Sequence, residues 1–223
     1  EVLRRTGMRT VSRWANYHRM LNSFIVDAIG EDYIRRNPYK WVHISRGDDE
    51  SQGLSKYLTR EELERIETAR MGTECLERVR DLFVFQCYTC LSYTDLVAFD
   101  MGKVRDVGGR KMYTGRRGKT GVEFTFMLLA PALAVLGKYG GSLPLLSNVK
   151  YNQYLKVVAQ AAGVDKPITT HWARHTGATL LLNAGVDMET VAKVLGHTST
   201  KITRSVYAKL LDDTVAREMA KVL

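Results

Sequence analysis

The 223-residue sequence contains three cysteines, four prolines and no apolar run approaching the roughly eighteen residues that cross a bilayer. Three cysteines are an odd and sparse set, so no disulfide framework is expected and a reducing, cytoplasmic compartment is the default. No secretory signal pattern opens the chain, and no membrane partner is implied. The first residue is Glu1 and not methionine, which points to a fragment or a processed chain. Acidic residues are also in deficit: 24 Asp and Glu against 33 Lys and Arg leave a formal charge of +9. With 45% hydrophobic residues the chain is long enough to bury a core, and its charge calls for a polyanionic partner.

The basic excess is concentrated. Between Met101 and Thr120, Lys103, Arg105, Arg110, Lys111, Arg116, Arg117 and Lys119 are offset only by Asp106. Residues 1–20 add Arg4, Arg5, Arg9, Arg13 and Arg19 against Glu1. A solvated charged face is the plain alternative to a nucleic-acid surface for either stretch.

Apolar residues at Val11, Trp14, Tyr17, Leu21, Phe24, Ile25 and Ala28 recur at three and four, and Gly30 follows, which predicts a helix. Asn37-Pro38-Tyr39 breaks the chain, and the polar run Ser45–Gly53 reads as an interdomain linker. Thr59 with Glu62 forms a capping box that opens a helix through about Ala69, and Thr73 caps another over about 74–87. Cys87 and Cys90 form a CxxC pair, but no second ligand pair or βαβ pattern accompanies it, so two buried small residues are expected and no metal site. Glycines then punctuate 103–127 around short segments such as 111–113 and 122–126, which predicts a small antiparallel sheet carrying the basic cluster. Helices follow at about 131–139, 150–162, 171–184 and 188–195, with more to Leu223. The expected fold class is therefore mainly α with a small antiparallel β-sheet.

His171 and Arg174 lie at i and i+3 near a helix start, where a phosphate oxygen is readily held. Alone, that pair is common on solvated helix faces. Downstream, Leu195-Gly196-His197 puts a histidine past a helix end, and Tyr207 follows ten residues later. Upstream, Lys119 sits in a hairpin-like region dense in positive charge. The ordered set Lys119, His171, Arg174, His197 and Tyr207 resembles the catalytic domain of tyrosine recombinases, the phage integrase family. The Leu58–Leu63 helix start and the Tyr88-Thr89-Cys90-Leu91 turn extend the likeness over nearly the whole chain.

The resemblance implies a recombinase catalytic domain over 57–223, a linker over 46–56, and the last helices of a core-binding domain over 1–45. It implies cleavage and rejoining of DNA strands through a 3′-phosphotyrosyl intermediate, without metal or nucleotide cofactor, in a bacterial mobile element. Double-stranded DNA with a specific core site would be the partner of a nucleoid-associated protein. A homotetramer would form on it by exchange of the C-terminal helix, residues 212–223. Tyr207 would be the nucleophile, His171 would accept or relay its proton, Arg174 and His197 would neutralise the phosphorane, and Lys119 would protonate the leaving oxygen. Lys103, Arg110, Lys111, Arg116 and Arg117 would lie on DNA.

One position departs from the family pattern. Where an arginine usually follows the Thr-Gly-Leu turn, the chain reads Cys90-Leu91-Ser92, although Asp95, which supports that arginine in the family, is present. Arg116, Arg117 and Arg80 are candidates to fill the gap, the hairpin pair being favoured. Two alternatives stay open: a degenerate DNA-binding homologue that has lost chemistry, and a strand-relaxing enzyme of the type IB topoisomerase kind.

Overall fold

The computed structural model describes residues 11–41, 56–201, 203, 204 and 207. The chain divides after Ser55 into two compact units. In the first, α1 (Val11–Gly30) matches the expected helix and is followed by a 3-10 turn over Pro38–Trp41. Asn37 initiates that turn by accepting a bond from the Tyr39 N–H (2.8 Å), and Tyr39 Oη meets His18 Nδ1 at 2.8 Å, so the turn folds back on α1. The linker expected over 46–56 lies outside the described residues, except for Lys56.

The second unit is built around one helix. After α2 (Arg60–Thr68), opened by the Thr59–Glu62 capping box, α3 (Glu74–Thr89) buries Leu82, Phe83, Val84, Phe85 and Cys87 on nearly all sides. A helix apolar all round must be central. Accordingly α5 (Ala130–Lys138), α6 (Asn148–Ala161) and α7 (Thr170–Asn183) all pack on it. Fully burying side chains such as Phe83 and Phe85 contributes about 1.5–3 kcal/mol each.

α3 runs two residues beyond its expected end, because Cys90 itself takes the left-handed capping conformation (φ 55°) and donates its N–H to Gln86. Ser92 then caps the short α4 (Tyr93–Val97). The sheet is antiparallel in the order β1 (Val104–Val107), β2 (Arg110–Arg116), β3 (Glu123–Met127), held to the core by Tyr113, Phe124 and Phe126. α8 (Met188–Leu195) lies against β3 and ends at Gly196. The fold class is thus mainly α with a small antiparallel sheet, as expected. Of the helices expected beyond Gly196, residues 200, 201, 203, 204 and 207 are helical. Residues 212–223 lie outside the described residues.

Candidate active site

Helix α7 reaches the site because it approaches α3 without a side chain between them. A Cβ on Gly177 would stand 2.1 Å from the Cys87 carbonyl oxygen and 2.6 Å from Cys90 Sγ, so only glycine allows this approach. One turn earlier, Arg174 lies beside the end of α3, donates to the Cys90 carbonyl (3.0 Å), and donates through its other terminal nitrogen to the Leu195 carbonyl. Its guanidinium thus satisfies carbonyls at two helix ends, where the backbone dipole favours a cation. Burial, and then the neighbouring Arg117, hold its pKa down at about 10, so it stays charged at neutral pH.

Arg117 is the second cation. It follows β2, is 7% exposed, and donates to Asp95 Oδ2 (2.6 Å) and to the Val194 carbonyl (2.9 Å), the residue before the carbonyl that Arg174 uses. Its guanidinium carbon lies 3.9 Å from the centroid of the Phe124 ring, and its Nε has no acceptor among the described residues. Gly196, with φ 58°, makes room for it, since a Cβ there would lie 2.6 Å from Arg117 Nε. Asp95 also accepts from the Ser92 hydroxyl and from the Gly118 N–H (3.2 Å). Burial alone would raise the Asp95 carboxyl, but the hydrogen bonds from Ser92 and Arg117 outweigh it and hold the group below its ordinary value.

Two guanidiniums therefore share α8's C-terminal end with one carboxylate between them. The surplus of positive charge is what a phosphodiester would balance. His197 adds to this wall: its Nδ1 meets Thr203 Oγ1 at 2.7 Å. Burial and then Arg174 and Arg117 depress its pKa to about 4, so it is neutral at pH 7.

Tyr207 is 3% exposed in a pocket of Cys90, Ala178, Val191 and Leu195. Burial pushes its phenol well above the ordinary value, with Cys90 adding to this and Arg174 pulling it back. Its hydroxyl lies 3.0 Å from His175 Nδ1, and His175 Nε2 lies 2.9 Å from His171 Nε2. Among the described residues, His171 and the phenol are thus linked through His175, a residue that the sequence motifs do not single out. The signal available was its place four residues after His171, on the same helix face.

Lys119 is exposed on the β2–β3 turn, next to Gly118, whose N–H is fixed on Asp95. Lys103, Arg110, Lys111 and Arg116 are exposed on the sheet and its connections, and Lys111 pairs with Asp106 at 3.0 Å. Arg117 departs from the expectation that it lies on a DNA-facing surface: the Asp95 carboxylate and the Phe124 ring draw it inside. Arg80 is engaged elsewhere, with Asp81 and the Ala69 carbonyl. The structure therefore brings together Arg174, Arg117, Asp95, Ser92, His197, His171 and Tyr207. Lys119, Lys103, Arg110, Lys111 and Arg116 stay at the surface.

Residues 144–213 match the model of the phage integrase family. The chain is 27% identical over 212 residues to the tyrosine recombinase XerD of Listeria monocytogenes, covering 85% of this chain and 69% of that one. The fold is similar to that of XerH site-specific recombinase in its post-cleavage complex with palindromic difH substrate, at a TM-score of 0.75 and 19% identity over 97% of this chain and 69% of that one. It is also similar to the Tn1549 transposon integrase bound to circular intermediate DNA, at a TM-score of 0.70 and 19% identity, covering 97% and 81%. Over residues 144–213 the chain thus matches the phage integrase family, over most of its length it is similar to the tyrosine recombinase XerD, and its fold is similar to that of site-specific recombinases.

Proposed function

We propose that the chain cuts and rejoins DNA through a phosphotyrosyl bond formed by Tyr207, and that Arg117 supplies the cation missing at Ser92. The observation that carries this reading is the buried Arg117–Asp95 pair (2.6 Å) beside the Arg174 cradle. Asp95 is the carboxylate that supports the usual arginine in the resembled family, and here it receives one from the hairpin. In this reading the Tyr207 oxygen attacks phosphorus and the 5′-oxygen leaves with a proton from Lys119. Arg174 and Arg117 offset charge on the nonbridging oxygens, to which neutral His197 donates a hydrogen bond. The phenolate remains a competent leaving group, so the strand is resealed by the reverse step.

The setting is a mobile element, a reading supported by the likeness to the Tn1549 transposon integrase. Residues 1–45 act as the end of a core-binding domain that grips a specific duplex site, and residues 57–223 act as the catalytic domain. A homotetramer assembles on DNA by exchange of residues 212–223. The test uses a nicked suicide duplex carrying the site that the protein selects from a random-sequence pool. The parent chain is expected to give an SDS-resistant adduct. Tyr207→Phe, which removes only the hydroxyl, is expected to bind the duplex with parental affinity and give none. An adduct with Tyr207→Phe overturns the assignment, and binding without an adduct by the parent favours the degenerate, DNA-binding reading that Ser92 raises.

A further inference from the structure

We infer that His175 is a catalytic proton carrier between the Tyr207 hydroxyl and His171. The inference rests on the reading of Tyr207 as nucleophile and adds the path of its proton. Three polar groups stand in one line: Tyr207 Oη to His175 Nδ1 at 3.0 Å, then His175 Nε2 to His171 Nε2 at 2.9 Å. Both nitrogens of His175 are thereby engaged, so its tautomer and ring orientation are set by its two partners. The His171 and His175 rings meet edge to face with centroids 4.4 Å apart, a geometry fixed by their i, i+4 spacing on α7. At the far end of the line, His171 is exposed, whereas Tyr207 is buried. A proton leaving the phenol therefore has a route to the surface through one side chain.

The charges around the line suit the transfer. His175 faces His171 and Arg174 on its own helix, Tyr207 and His197 from the segment after α8, and Lys56 ahead of α2. Burial, and then the neighbouring His171 and the cations Arg174 and Lys56, keep it uncharged at pH 7, with a pKa near 4, and His171 is lowered as well. A neutral imidazole accepts at one nitrogen and donates at the other, as a carrier must. In the attack, the Tyr207 O–H bond breaks as the oxygen–phosphorus bond forms, and that proton goes to His175 Nδ1. The proton on His175 Nε2 passes to His171 Nε2. His171 ends as imidazolium and His175 ends neutral in the opposite tautomer. The 5′-oxygen takes its proton separately, from Lys119.

Two measurements on the full chain test this. In long-range 1H–15N correlation spectra, His175 is expected to carry its proton on Nε2 and His171 on Nδ1. Tyr207→Phe is expected to shift the His175 Nδ1 resonance while leaving that of His18 in place. Unchanged His175 resonances overturn the hydrogen-bonded line. In single-turnover cleavage of negatively supercoiled plasmid, His175→Ala is expected to form adduct about 10²- to 10⁴-fold more slowly, the usual range for a lost acid–base group. Added imidazole should recover at least tenfold of this. His175→Gln keeps a hydrogen bond to the phenol but cannot exchange protons, so it should remain slow and resist rescue. Cleavage by His175→Gln at the parental rate overturns the carrier role alone. A parent chain with the expected spectra that leaves no adduct rejects the nucleophile reading, and the carrier with it.

Discussion

Asp95→Asn keeps the shape of the side chain and removes the charge that faces Arg117. Because Arg117 is buried, it would be left as an uncompensated cation, a loss of about 3–5 kcal/mol that a urea titration would register. Adding Arg117→Met to the same chain should recover most of that stability, since replacing both members of a buried pair is far milder than stranding one. A single Asp95→Asn within about 1 kcal/mol of the parent would contradict the pair's structural weight. The histidines give the site a pH signature with a definite sign. Unfolded, these rings take up protons near pH 6.5, whereas folded His175 and His197 do so only near 4. Protons therefore favour the unfolded chain between those values, and stability is lost as pH falls from about 6.5 toward 4. Asp95 titrates below that window, so the effect belongs to the rings. His197→Gln should flatten the decline of the urea midpoint over pH 6.5–4.5, and an unaltered slope would count against a half-buried, neutral His197.

Among the elements, the α3–α7 contact sets the site's geometry. Gly177→Ala would drive a methyl into the Cys87 carbonyl and Cys90 Sγ, displacing α7 and drawing Arg174 from its two carbonyls. Overpacking of this kind costs about 1–3 kcal/mol, which corresponds to a fall in Tm of several degrees for a domain this size. Calorimetry beside a cleavage assay would check it, and an unchanged Tm would mean the helices separate without penalty. The starts of α2 and α3 were legible because each carries its own signal: Thr59 with Glu62, and Thr73, cap through their side chains. The end of α3 was less so, because Cys90 occupies a left-handed position where glycine is the usual marker. Ser92 read in sequence as a missing arginine, yet locally it is the N-cap of α4 and a donor to Asp95. Arg117's partner was hidden for a different reason. Asp95 is 22 residues away on another element, and only packing brings them together.

Across the whole molecule, charge was the most legible property and its division of labour the least. The sequence cannot separate Arg116 from Arg117, but the structure leaves the first at the surface and buries the second. Different phenotypes follow. Neutralising exposed Arg110 and Arg116 should weaken DNA binding alike across sequences, and each phosphate deprived of its cation should reduce the log–log salt slope by about 0.9. Fluorescence anisotropy over a salt series would show it, and an unchanged slope would take these residues off the DNA. Whether Arg117 acts in place of the absent arginine at position 92 is decided by cleavage rates in a two-by-two set. Parent, Arg117→Met, Ser92→Arg and the double variant are compared on the suicide duplex, with DNA affinity measured alongside. Removing one such donor costs about 10²- to 10³-fold in rate, so Arg117→Met should fall by that much with affinity retained, and Ser92→Arg should restore part of the loss in the double variant. Cleavage by Arg117→Met at the parental rate, or a double variant no faster than Arg117→Met, would contradict that substitution of roles.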